Sequence, residues 1–199
     1  MKASKWLILL VLVIAVSWGV YECKYYYSLW RDYRNSPWAY SRNENAKLLV
    51  GKWTGAFKDP DQIQKTIKLE INKPLTEAER ATKAGKTWKR ASYSSRNKNK
   101  FHGVATVTSK LGTEKYVIQG AVNKDDCHKL QFSFQSENEK NRVLPNFALL
   151  GAKNGTWQDD QLTITFNFSF LRADGSSHWS SEDPRFEKKV TTTLTRQLP

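Results

Sequence analysis

Two short stretches collect the residue types that chemistry uses. "DDCH", Asp125 to His128, sets two carboxylates, a thiol and an imidazole side by side. A structural zinc site needs four converging Cys or His ligands, and a catalytic one needs three with an open position. One Cys beside one His meets neither requirement. Asp in such a polar cluster more often accepts a backbone N–H to close a turn. "GSSHWSSEDPRF", Gly175 to Phe186, holds Ser, His and Asp. A nucleophilic triad, however, is defined by placement in space, not by crowding along the chain, and this stretch reads as a long loop between the last two strands. The third histidine, His102, has no such company. The reading is therefore of no catalytic residues, no metal and no cofactor: a protein that binds and does not turn over.

What it could bind is constrained by charge. The 199 residues carry a formal net charge of +13, with a pI near 9.7. Such a balance favours acidic partners, although it also serves solubility. The basic side chains concentrate in one segment: Lys83, Lys86, Lys89, Arg90, Arg96, Lys98 and Lys100, with Trp88 and Tyr93 interleaved. No acid lies between Arg80 and Lys110. A patch of this kind fits an anionic lipid surface or an acidic protein, and the plain alternative is a solvated loop. Nucleic acid is disfavoured as a partner for a domain that is exported. The two cysteines, Cys23 and Cys127, are too few for a disulfide framework. With 8 Trp, 8 Tyr and 9 Phe the chain has ample bulk for a core.

Export is suggested by the N-terminus. After "MKASK" the run "WLILLVLVIAVSWGVY", Trp6 to Tyr21, contains no charge. As a helix it would rise roughly 24 Å, at about 1.5 Å per residue, against a hydrocarbon core of about 30 Å. Tyr25, Tyr26, Tyr27, Trp30 and Tyr33 follow, the rings expected at a membrane interface. A cleaved signal peptide is the alternative, with Ala15-Val16-Ser17 as a cleavage site. The apolar run continues past that site, which favours an uncleaved anchor: a single-pass protein of the bacterial inner membrane with its C-terminal domain in the periplasm. The alternative location is secretion after cleavage. The expected organisation is a membrane helix over 1–23, a juxtamembrane stalk over 24–45 and a folded domain over 46–199.

From Ala46 onward the pattern has period 2, the mark of strands with one buried face. Trp53 and Phe57 share a side with Gly51 and Gly55. Ile67, Leu69 and Ile71 form a second set; Phe101, Gly103, Ala105 and Val107 a third; Tyr116, Ile118, Gly120 and Val122 a fourth; Leu130, Phe132 and Phe134 a fifth. "QLTITFNFSF" aligns Leu162, Ile164, Phe166, Phe168 and Phe170, and the last run puts Phe186, Val190, Leu194 and Arg196 in phase. Turn-forming clusters separate the runs. "PLTEAERATKAG" breaks the alternation with a capping box, Thr76 and Glu79, before a short helix over 77–84. The fold class is all-β: an antiparallel up-and-down barrel of eight or nine strands with one short inserted helix, preceded by a transmembrane helix.

The start of the first strand, Gly51-Lys52-Trp53, resembles the motif that opens the lipocalins and the wider calycin group, which includes avidin-like barrels. In those families the Trp closes one end of the barrel and an Arg from the last strand packs across it. The resemblance implies that Arg196 covers Trp53 here. A small barrel can hold one ligand or be filled by side chains, and the inward residues Gly55, Gly103, Ala105 and Gly120 leave room. The leading expectation is therefore a membrane-anchored, lipocalin-like barrel that holds a small apolar ligand, with Phe57, Tyr116, Phe132, Phe166 and Phe168 as its interior candidates. The competing expectation is a protein-interaction module, an accessory or inhibitory subunit with a filled barrel and a basic recognition loop.

Overall fold

In a computed structural model, residues 2–76, 78–80, 82, 98–138, 142–178 and 183–197 are described. A single helix, α1 (Lys2–Asn35), leads into nine strands. These are β1 (Gly51–Lys58), β2 (Gln64–Ile71), β3 (Lys100–Ser109), β4 (Gly112–Val122), β5 (Lys129–Ser136), β6 (Asn146–Gln158), β7 (Gln161–Leu171), β8 (Ser177–His178) and β9 (Val190–Arg196). β1 to β7 pair antiparallel in chain order, β7 pairs with β9, and β9 returns to β1. The result is a closed eight-stranded meander, with β8 as a two-residue extra strand on the end of β7. Closure leaves the eight staves without a free edge.

The alternation of the sequence becomes inside and outside. Ile67, Leu69, Ile71, Val107, Ile118, Leu162, Ile164 and Leu194 point into the core and are buried. The outer wall is polar: Thr163 meets Thr193 at 3.0 Å, and Thr165 meets Thr191 at 2.9 Å, across the β7–β9 pair. β6 is the strand whose alternation is hardest to see. Its pairing slips at Leu149/Gly151 and at Lys153/Thr156, and β5 slips against it at Leu130/Phe132. Each bulge inserts one residue and reverses the inside–outside phase beyond it.

Two sequence expectations change in detail. Phe186 belongs to a 3-10 helix, Pro184–Glu187, and not to the last strand, which begins at Val190. The segment over 24–45, expected as a stalk helical to Arg34 and broken at Ser36-Pro37, is helical to Asn35, but Trp38, Ala39 and Tyr40 beyond the break are buried in the end of the barrel. Trp38 is 0% exposed and meets Phe101 edge-on at 5.9 Å. The inserted helix is seen over 78–80 and 82, and its capping box forms. Glu79 N–H donates to Thr76 Oγ1 at 3.2 Å, and Thr76 N–H donates to Glu79 Oε2 at 2.8 Å.

α1 is long and apolar enough to cross a membrane, and large apolar side chains from Ile8 to Tyr21 along it are exposed. A signal sequence satisfies the same criterion. Beyond the apolar run, Tyr27 stacks on Trp30 at 5.9 Å, and the Arg34 guanidinium lies 5.1 Å from the Trp30 ring.

Candidate functional site

One end of the barrel is sealed by the pair named above. The Arg196 guanidinium carbon lies 4.3 Å from the Trp53 ring centroid, and the two residues sit opposite each other across β9 and β1. Arg196 also donates to the carbonyls of Val50 (3.0 Å) and Leu48, and to Asp160 Oδ1 at 3.1 Å. Lys47 pairs with the same Asp160 and holds its carboxyl below the usual range. Trp53 Nε1 donates to Leu49 O at 3.0 Å, so the indole has a polar partner although it is fully buried. Gly51 is required twice over. Its φ of +132° disfavours any side chain, and a Cβ there would crowd Arg196 Nη1.

Inside, aromatic rings touch in sequence. Phe57 lies 4.7 Å from Phe166 and 6.1 Å from Phe168, and Phe166 lies 5.9 Å from Phe134. Phe134 lies 5.2 Å from Phe132 and 5.6 Å from Tyr116, and Phe132 reaches Phe101 at 5.9 Å. All five candidate ligand residues, Phe57, Tyr116, Phe132, Phe166 and Phe168, are therefore buried and packed on one another or on their neighbours. The small inward residues do not leave space. A Cβ on Gly120 would overlap Phe101 and Phe132, and one on Gly55 would overlap Leu194. Neighbouring side chains occupy the volume that those glycines release.

The far end carries a buried polar cluster. Lys65, 2% exposed, donates to Asn146 Oδ1 and to Phe147 O, both at 2.6 Å. Its Nζ faces Asp59 Oδ2 at 3.2 Å as an ion pair, and Asp59 Oδ1 accepts from Ile63 N–H at 2.9 Å. Asn146 Nδ2 passes the chain on to Glu114 Oε2 at 2.8 Å. Three acceptors around one ammonium describe a satisfied charge rather than a poised nucleophile. Outside it, Phe186 of the 3-10 helix packs on Phe147 (5.5 Å), Phe170 (5.8 Å) and His178 (5.4 Å).

Burial pushes the Glu114 carboxyl up and the Lys65 ammonium down, and each is partly restored by the other's charge. A carboxyl raised in the folded state binds its proton more tightly folded than unfolded. It therefore adds stability as the pH falls from neutral through its raised value, and its ionised form subtracts stability above that. Glu114→Gln keeps an acceptor for Asn146 without the charge. It is expected to raise the urea midpoint at pH 7 and to narrow its lead over the parent as the pH falls towards 4.5. A midpoint lower than the parent's at pH 7 would show that the ionised carboxylate is stabilising.

A broad concavity lies on the outside. A groove of about 980 Å³ runs over the outer wall of β3 to β6. The pairing explains its depth. One outward row reads His102, Gln119, Ser133, Gly151, and the next reads Lys100, Ala121, Gln131. Ala121, Ser133 and Gly151 keep the floor low, while Leu75 and Leu150 stand exposed in it. Arg80, Lys98, Lys100 and Lys153 supply its charge, and its described lining residues include no carboxylate. Lys98 and Lys100 are thus the two members of the basic stretch that the structure places. Lys83, Lys86, Lys89, Arg90 and Arg96 lie outside the described residues.

The other sequence candidates do local work. Asp126 Oδ1 accepts from His128 N–H at 3.0 Å, and Asn123 Oδ1 accepts from Asp125 N–H at 2.8 Å, which closes the turn before β5. His128 Nδ1 sits 3.0 Å from Trp157 O, and Trp157 Nε1 donates to Cys127 O at 2.7 Å. Among the described residues no three His, Cys, Asp or Glu side chains converge. Sequence reasoning missed Lys65 and Glu114, although a signal was present: Lys65 is in phase with Ile67 and Leu69, and Glu114 with Tyr116 and Ile118. It also missed Leu150 and Lys153, which lie on the bulged β6.

No family model matches the chain, and no curated protein matches it. Among solved structures it is similar to a de novo designed fluorescence-activating β-barrel, with 14% identity over 74% of this chain and 93% of that one. The TM-score is 0.39, too loose an overlay to bear on function. The chain folds as a closed eight-stranded antiparallel β-barrel with one extra strand, carrying a long apolar helix at its N-terminus.

Proposed function

We propose that the protein is a membrane-anchored, non-catalytic binding protein: a calycin-type barrel that is filled, and that meets its partner through its outer wall. The observation that carries this is the contrast between the two surfaces. The interior is a continuous contact of rings closed at both ends, by Trp53 with Arg196 and by the Lys65 cluster. A broad open groove of about 980 Å³ on the outside is lined by four basic side chains. Eight strands enclose just enough room either to be filled by side chains or to hold one small ligand, and ring packing at 4.7–6.1 Å favours the first. A small apolar ligand inside would have to displace Phe57, Phe132 or Phe166 from that packing. α1 is read as an uncleaved anchor, with the barrel on the periplasmic side of an inner membrane.

Native mass spectrometry of the intact chain released from membranes tests the filled barrel. The expected result is a chain that retains no uncharged small molecule. One such molecule held in a one-to-one ratio would return binding to the interior. Alkaline carbonate extraction tests the anchor separately: the chain is expected to stay with the membrane, and release into the supernatant would remove that part of the reading.

A further inference from the structure

We infer that the outer groove is a binding site for an anionic phospholipid drawn from the membrane that α1 enters. The inference rests on reading α1 as an anchor. It commits the outer-wall site to one class of ligand, a phosphate-bearing headgroup with the adjoining part of its acyl chains.

Three observations converge. The first is charge. Four cations, Arg80, Lys98, Lys100 and Lys153, line the groove with no carboxylate among its described lining residues, so the lining presents a net positive charge to an entering anion. The second is the mixture. Leu75 and Leu150 are 41% and 50% exposed within the same groove, beside outward lining residues such as His102, Gln119, Gln131 and Ser133 that are polar. A soluble phosphate has no use for those side chains. A phospholipid presents a headgroup to the cations and the start of an acyl chain to the leucines, and about 980 Å³ accommodates both. An acidic protein segment would also satisfy the cations, but it would leave the third observation without a role.

That third observation is position. The groove starts at the foot of α1. Lys98 Nζ donates to Asn35 Oδ1, the side chain of the last helical residue, at 2.7 Å, and Ser36 Oγ donates to Lys98 O at 3.1 Å. A second lining residue is tied to the same segment, because the Tyr40 hydroxyl donates to Pro74 O. Asn35 and the residues that follow it therefore hold two lining positions of the groove, Lys98 and Pro74, and set that part of it in a fixed relation to the helix foot. From Tyr27 to Asn35 the helix rises about 12 Å at 1.5 Å per residue, so flexible Lys and Arg chains at its foot reach the headgroup layer just above the interfacial rings. Basic side chains held there gain from the negative surface potential of an anionic leaflet and lose that gain with salt.

The test uses the full chain in nanodiscs of mixed phosphatidylcholine and phosphatidylglycerol, doped with a photoreactive form of one lipid or the other. The expected result is about tenfold more adduct from the phosphatidylglycerol probe. The adducts should map to peptides spanning 98–102, 119–133 and 150–153, and should fall at least fivefold in the double variant Lys100→Glu, Lys153→Glu. Lys52→Glu, on the outside of β1 at the same end of the barrel, is expected to leave labelling unchanged, and tryptophan fluorescence would show that each variant is folded. Equal labelling by the two lipids, or labelling confined to α1 in a chain that resists carbonate extraction, overturns the site while leaving the anchor in place. A chain that carbonate releases, with no adduct in the groove, overturns the anchor and this inference with it. Labelling that survives the double variant, or an acidic protein crosslinked in cells at these positions in place of lipid, also overturns it.

Discussion

Replacing Lys65 by alanine is expected to cost about 4 kcal/mol of folding stability, because it leaves a buried carboxylate without its counter-ion. Asp59 is 0% exposed and its Oδ2 has Lys65 as its charge partner at 3.2 Å. Asn146 Oδ1 and Phe147 O would lose their donor in the same step. The cost lies in breaking the pair, not in lacking it. A double variant, Lys65→Met with Asp59→Asn, removes both charges, keeps an acceptor for Ile63 N–H and refills the volume. It is expected to recover at least half of the loss, since replacing a buried ion pair by neutral groups of similar size is often close to neutral. Urea unfolding of the full chain in detergent, followed by tryptophan fluorescence, measures both. A Lys65→Ala cost below about 1 kcal/mol would mean that water reaches Asp59 in the folded state.

Arg196→Ala is expected to cost about 3 kcal/mol, at the opposite end of the barrel. The guanidinium is 14% exposed and serves four neighbours at once: the Trp53 face, the carbonyls of Leu48 and Val50, and Asp160. Charge-assisted hydrogen bonds and cation–π contact of this kind contribute roughly 1–3 kcal/mol each before the losses overlap. Arg196→Lys is expected to recover less than half, because an ammonium cannot stack on the indole and fork to two carbonyls together. The position of these contacts gives the variant a second signature. β9 closes the barrel onto β1 through Trp53↔Arg196 and Thr54↔Thr195, so amide exchange should accelerate first in β1 and β9. Uniform acceleration over all strands would show that Arg196 contributes only to global stability.

Much of the architecture was legible because β alternation is a local property. Ile67, Leu69 and Ile71, or Leu162 through Phe168, announce an inward face whatever they meet. The meander follows from short turns between successive runs, and Gly51-Lys52-Trp53 with Arg196 could be paired because one begins the first strand and the other ends the last. β6 was not legible for the opposite reason. Its bulges at Leu149/Gly151 and Lys153/Thr156 change phase inside the strand, and a period-2 pattern cannot survive that. The groove was hidden with it, since Leu150 and Lys153 lie on that strand.

By itself, then, the sequence determined a basic, all-β chain with an apolar leading helix, the inward set of most strands, and both members of the closing pair. Each follows from residue type and spacing over a few positions. Tertiary structure alone decided how the volume is used. Gly55 and Gly120 read as room inside the barrel, but across the sheet they face Leu194, Phe101 and Phe132, whose side chains fill that room. Trp38 read as stalk, yet it plugs the barrel end. Lys98 read as one charge in a basic run, and it is the contact that joins the groove to the foot of α1. Packing depends on which side chains meet across neighbouring strands, and that is set by register and closure over long separations, not by any local stretch of chain.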